Sequence, residues 1–115
     1  LKAQGINTIV AIGHLGGTAG TITNPTGPLI DLADNVTNVD AVIGDHTDMQ
    51  ILTTRSNGVL VTENRSKGIR FTRVRLVVDA STKKVIYMTA DYHKPWDIGV
   101  TADAAIQARI DALNA

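Results

Sequence analysis

Two short β-branched runs, each ending in a glycine and followed within two residues by a histidine, constrain this chain more than any other feature. Ile6–Ile12 (Ile-Asn-Thr-Ile-Val-Ala-Ile) leads into Gly13-His14, and Asp40–Gly44 (Asp-Ala-Val-Ile-Gly) leads into Asp45-His46. Such runs suit strands buried on both faces of a layered α/β arrangement. Between them, residues 13–28 are rich in Gly, Thr and Pro and predict a loop. Pro28 fits the first turn of a helix, and Leu29, Ile30, Leu32, Ala33 and Val36 follow at helical spacing. Strand, helix, strand is a βαβ unit, and its two strands are expected to run parallel.

After residue 49 the pattern changes. Gln50–Thr54, Gly58–Glu63, Arg70–Val78 and Lys84–Ala90 alternate or run β-branched. Asn57-Gly58 and Asp79–Lys83 between them are hairpin-turn sequences. In Thr72-Arg-Val-Arg-Leu-Val-Val78 the arginines alternate with apolar residues, as on a strand with one wet face. Arg55, Arg65, Lys67, Arg70, Arg73 and Arg75 therefore read as solvated strand faces rather than as a phosphate clamp. A Pro/Trp-containing connection, Tyr92–Val100, precedes an amphipathic helix. Its N-cap is expected at Thr101, Asp103 favours the positive helix end, and Ala105, Ile106, Arg109, Ile110 and Leu113 share a face. At the other end, Leu1-Lys-Ala-Gln-Gly5 reads as a helix tail with its C-terminal cap, which suggests a piece of a longer polypeptide.

Composition removes several function classes. Eleven basic residues balance eleven acidic ones, which speaks against general capture of nucleic acid or anionic membrane. No cysteine is present, so thiol nucleophiles, thiolate metal sites and disulfides are out. Four aromatic residues are too few for a stacking platform, and no apolar run reaches the ~20 residues that span a bilayer. The Gly13–Gly20 loop lacks both G-x-G-x-x-G and the Lys-Ser/Thr ending of a P-loop, and no G-x-S-x-G elbow occurs.

The histidines carry the chemistry. Ligands of open α/β sheets gather outside the carboxyl ends of the strands, where His14 and His46 are predicted to stand. A lone histidine after a strand is ordinarily a turn residue bonded to backbone. Two of them, in matched settings after adjacent strands, point to imidazole nitrogens offered to a metal. Asp48 follows His46 by two residues, so in extended geometry both side chains point the same way. Asp45 points elsewhere and can orient a ring as an acceptor. His93, in a polar connection, reads as a surface residue.

Gly5-Ile-Asn-Thr-Ile-Val-Ala-Ile-Gly-His14-Leu-Gly, Leu29-Ile-Asp-Leu-Ala and Val39-Asp-Ala-Val-Ile-Gly-Asp-His46-Thr-Asp48 together resemble the second half of the metallophosphatase domain of secreted 5′-nucleotidases. That calcineurin-like family includes UDP-sugar hydrolases and 2′,3′-cyclic-nucleotide phosphodiesterases. Asn57-Gly-Val59, Thr62-Glu-Asn64, Gly68 and Arg73–Asp79 resemble its closing strands. The resemblance implies part of a four-layer αββα sandwich. Residues 1–100 would be the C-terminal half of the metallophosphoesterase domain, and 101–115 a helix leading toward a C-terminal substrate domain.

By the same resemblance His14, His46 and Asp48 would be metal ligands, with Asp45 supporting them. The family usually has His or Gln at position 48 and Gly at position 45, so Gly-Asp-His-Thr-Asp departs from its pattern twice. The implied cofactors are two divalent ions such as Zn or Mn, and the implied reaction is attack of a metal-activated water on a nucleotide or other phosphate ester. The resemblance covers the family's second half only, so the first-half segments that supply its Asp-x-His, Gly-Asp and Gly-Asn-His ligands are not in these residues. The 115-residue chain is therefore expected to bind metal weakly at best and to be inactive alone. An extracellular, periplasmic or cell-surface setting is implied, with no membrane span, no nucleic-acid polymer as partner, and a homodimer through exposed sheet surface. Two alternatives stay open: a non-catalytic binding or assembly module of this fold, and a small nucleotide-binding domain using the Gly13–Gly20 loop.

Overall fold

A computed structural model describes residues 1–115. The fold is mixed α/β, with three sheets and a C-terminal helix. A 3-10 turn, Lys2–Gln4, closes on Gly5 in the left-handed conformation (φ 78°). Strand β1 (Val10–Ile12) is followed by a two-residue pair, β2 (Ala19–Gly20) and β3 (Pro25–Thr26). Helix α1 (Pro28–Asn35) leads to β4 (Ala41–Gly44), then β5 (Ile51–Thr54) and β6 (Leu60–Glu63). A long ribbon, β7 (Phe71–Val78) with β8 (Val85–His93), and helix α2 (Ala104–Asn114) complete the chain.

The βαβ unit forms as its pattern predicts, with β1 parallel to β4 in the register Val10↔Ala41 to Ile12↔Ile43. Pro28 sits at the start of α1, which turns Leu29, Ile30 and Ala33 inward. They pack with Val42, Ile51, Val59 and Val61 in a core of seven buried residues. The hairpin turn at Asn57-Gly58 also forms. Gly58 supplies φ 87°, and the Asn57 side chain accepts from the Val59 N–H and donates to the Ala33 carbonyl.

Topology then departs from a simple meander. Strand β6 does not lie outside β5 but inserts between β4 and β5, giving the order β1-β4-β6-β5. It is parallel to β4 and antiparallel to β5. Three parallel strands, β1, β4 and β6, thus end at one edge of the sheet. At the tip of β6, Glu63 is flanked by Gly44 on one side and Ile51 on the other, so residues 45–50 arch over it.

Several expectations need correction. Only Val10–Ile12 of the first run is strand, and it is an edge strand with Ile12 80% exposed, not one buried on both faces. Residues 13–28 hold the β2–β3 pair within the loop. Strand β8 runs on to His93, which pairs with Phe71 and stacks on its ring at 5.2 Å, so His93 is a half-exposed strand residue rather than part of a loose connection. The N-cap of α2 is Asp103, not Thr101, because the Asp103 carboxylate accepts from the Ala105 and Ile106 N–H groups. No residue of α2 is buried, and Ile106 and Leu113 face solvent. The radius of gyration is 17.4 Å, against about 13 Å for a compact chain of roughly this length. No helix is long and apolar enough to cross a membrane.

Candidate metal centre

His14 and His46 meet at the carboxyl edge of the sheet. His14 stands two residues past β1 and His46 two past β4, and the parallel pairing of those strands brings the loops side by side. Their rings meet edge to face, with centroids 4.6 Å apart at 75°. His14 Nε2 and His46 Nδ1 are 2.9 Å apart. Metal–nitrogen bonds of about 2.0–2.1 Å hold two ligand nitrogens about 2.9–3.4 Å apart at adjacent coordination positions. The observed separation lies inside that range. It serves an N–H···N bond when one of the facing nitrogens carries a proton, and two ligands of one ion when neither does.

Asp45 lies on the far side of the first ring, its Oδ2 3.4 Å from His14 Nδ1, with both side chains 70% exposed. A carboxylate there favours the proton on Nδ1 and leaves Nε2 with its lone pair toward His46. The extended geometry expected for residues 46–48 does not occur. His46 has φ 111° and Asp48 φ 57°, so the backbone kinks at both. No group of three or more His, Asp or Glu side chains is arranged around one ion position. The two imidazoles come together and Asp48 adds no third ligand to them.

Sequence reasoning overlooked Glu63. It is 1% exposed, and its Oε2 accepts from the Gly17 N–H (2.8 Å). Its Oε1 accepts from the Thr47 N–H (3.0 Å) and the Thr47 hydroxyl (2.8 Å). Close approach of the loops needs Gly16, where a Cβ would stand 2.4 Å from Thr47 Oγ1 and 2.8 Å from Glu63 Oε1. The Asp45 N–H donates to the Leu15 carbonyl at 2.9 Å, joining the loops a second time. From the ribbon, the Tyr92 hydroxyl donates to the carbonyls of Ile51 and Glu63, and burial pushes that phenol above the usual tyrosine range. A signal for Glu63 did exist: the run Val59-Leu-Val-Thr-Glu63 places an acid at a strand tip, as the histidines are placed.

The Arg73 guanidinium donates twice to Asp91, and His93 Nε2 approaches the same carboxylate at 2.5 Å. That cluster lies on the ribbon and forms no part of the histidine pair. No protein-family model, curated protein or solved structure matches the chain.

Proposed function

We propose that this chain is the second half of a phosphoester-hydrolysing metal centre of 5′-nucleotidase type, with His14 and His46 as ligands of one divalent ion. The observation that carries the reading is the 2.9 Å approach of His14 Nε2 to His46 Nδ1 at the carboxyl edge of a parallel sheet. When bound, the ion supplies charge neutralisation for the phosphoryl oxygens and acidifies an attacking water. The chain's own residues prepare for this. The Asp45 carboxylate 3.4 Å from His14 Nδ1 favours the tautomer with its proton there, and binding through Nδ1 of His46 leaves its Nε2 to carry the other. Both rings are solvent-exposed, so a phosphate ester can reach them without displacing core residues.

Two imidazoles are too few for a pair of ions, so hydrolysis requires the family's first-half Asp-x-His and Gly-Asn-His segments. The test is made on the reading frame that contains these residues. Those segments are expected upstream of Leu1, with manganese- or zinc-dependent AMP hydrolysis that falls at least ~100-fold in His14→Ala or His46→Ala. An upstream sequence without them, or hydrolysis indifferent to both substitutions, contradicts the reading. Asp45 and Asp48, where the family has Gly and His or Gln, favour a second reading, a binding module of this fold with an altered centre. It predicts ion binding without turnover.

A further inference from the structure

We propose that Glu63 is the positioning residue of the histidine pair, its buried carboxylate fastening the loop that carries His14 to the loop that carries His46. All of its hydrogen-bond partners are neutral donors, Gly17 N–H on one loop and Thr47 N–H and hydroxyl on the other. An acid is costly to bury and is retained where its acceptors are needed. Here they are. Residues 45–50 arch over the tip of β6, which turns the Thr47 N–H inward where no strand can accept it. Two acceptor oxygens on one planar group then set the spacing of the two loops. Thr47 adjoins His46 and Gly17 is three residues from His14, so that spacing is passed to the imidazoles over a short stretch of backbone.

The inference takes the histidine pair as the site proposed above, but its test does not depend on the metal. Glu63→Gln puts an amide NH2 against one of the donor groups, and Thr47→Val removes the hydroxyl alone, while Thr47→Ser keeps it. Imidazole nitrogen and proton NMR reads the His14–His46 contact directly, amide spectra report the fold, and zinc titration reads the ligands. In Glu63→Gln the imidazole contact is expected to be lost with the sheet intact, and zinc affinity to fall ~10–100-fold. Thr47→Val should lie between this variant and wild type, and Thr47→Ser should match wild type. A folded Glu63→Gln protein with wild-type imidazole signals and zinc affinity overturns the inference. If Glu63→Gln does not fold, the threonine variants decide, and identical behaviour of Val and Ser at position 47 overturns it as well. Loss of the imidazole contact in Glu63→Gln beside zinc binding that does not depend on His14 and His46 would sink the metal reading and leave the positioning role standing.

Discussion

The Nε2 of His14 and the Nδ1 of His46, thirty-two residues apart in sequence, face each other at 2.9 Å. Neither ring is locked in a core, since both are exposed. What fixes the contact is the backbone beneath it: two parallel strand ends, the Asp45–Leu15 hydrogen bond and the carboxylate of Glu63.

Gly16→Ala tests that arrangement from the other side. A methyl group at this position meets Thr47 Oγ1 at 2.4 Å and Glu63 Oε1 at 2.8 Å, so the loops must part. Overpacking of this kind costs about 1–3 kcal/mol. Urea unfolding should show that loss together with weaker zinc binding. Unchanged values for both would mean that the loops are not in close contact.

The core itself is small, and Leu29 is central to it. The side chain is fully buried and fills the space beside Gly44. Leu29→Ala should cost about 2–5 kcal/mol, a large share of the ~5–15 kcal/mol typical of a folded domain. A loss below about 1 kcal/mol would show that α1 does not pack against β4 as described.

Acid and alkali should act at different places. The Arg55 guanidinium, bonded to both oxygens of Asp34 at 2.7 and 2.8 Å, holds that carboxyl below the usual range. Its folded pKa lies under the unfolded value of about 3.9, so the contribution is present above that pH and lost as pH falls through the folded value. The pair is partly exposed, which limits it to about 0.2–1 kcal/mol. Tyr92 behaves in the opposite sense. Its folded pKa is raised by burial, so its contribution is intact below the unfolded value of about 10 and lost as pH climbs through the folded one. Urea midpoints across pH should flatten at the acid end in Asp34→Asn and at the alkaline end in Tyr92→Phe. Profiles that match wild type would remove both groups from the account.

Exposed apolar residues predict self-association. Phe71, Val77, Val78, Ile86 and Tyr87 on the ribbon are all more than 40% exposed, a density that soluble surfaces usually cover. Light scattering coupled to size exclusion should give a mass above 12.2 kDa that rises with concentration. A single monomeric species over a wide concentration range would contradict this.

Much of the fold was legible because it is local. The helix at Pro28–Asn35, the turns at Asn57-Gly58 and Asp79–Lys83, and the parallel pairing of the βαβ strands follow from spacing and turn chemistry. The insertion of β6 beside β4 is non-local, and nothing in the order of the chain announces it. Strand β1 reads as fully buried because its residues are β-branched, yet it ends as an exposed edge since nothing in the chain covers its outer side. The histidines were visible as strand-tip residues. Glu63 also stands at a strand tip, but its bridging role was hidden, because its three donors come from loops 16 and 46 residues away in sequence. The kinks at His46 and Asp48 were hidden for a related reason: Asp and His adopt positive φ more readily than most residues, but nothing in the local sequence demands it.

A calorimetric titration of the chain with zinc, repeated for His14→Ala and His46→Ala, asks whether the two imidazoles hold one ion between them. Shared ligation predicts one ion per wild-type chain and loss of that binding in each variant alone. Zinc binding that is unchanged in either variant would place the ion away from the shared pair and contradict the claim.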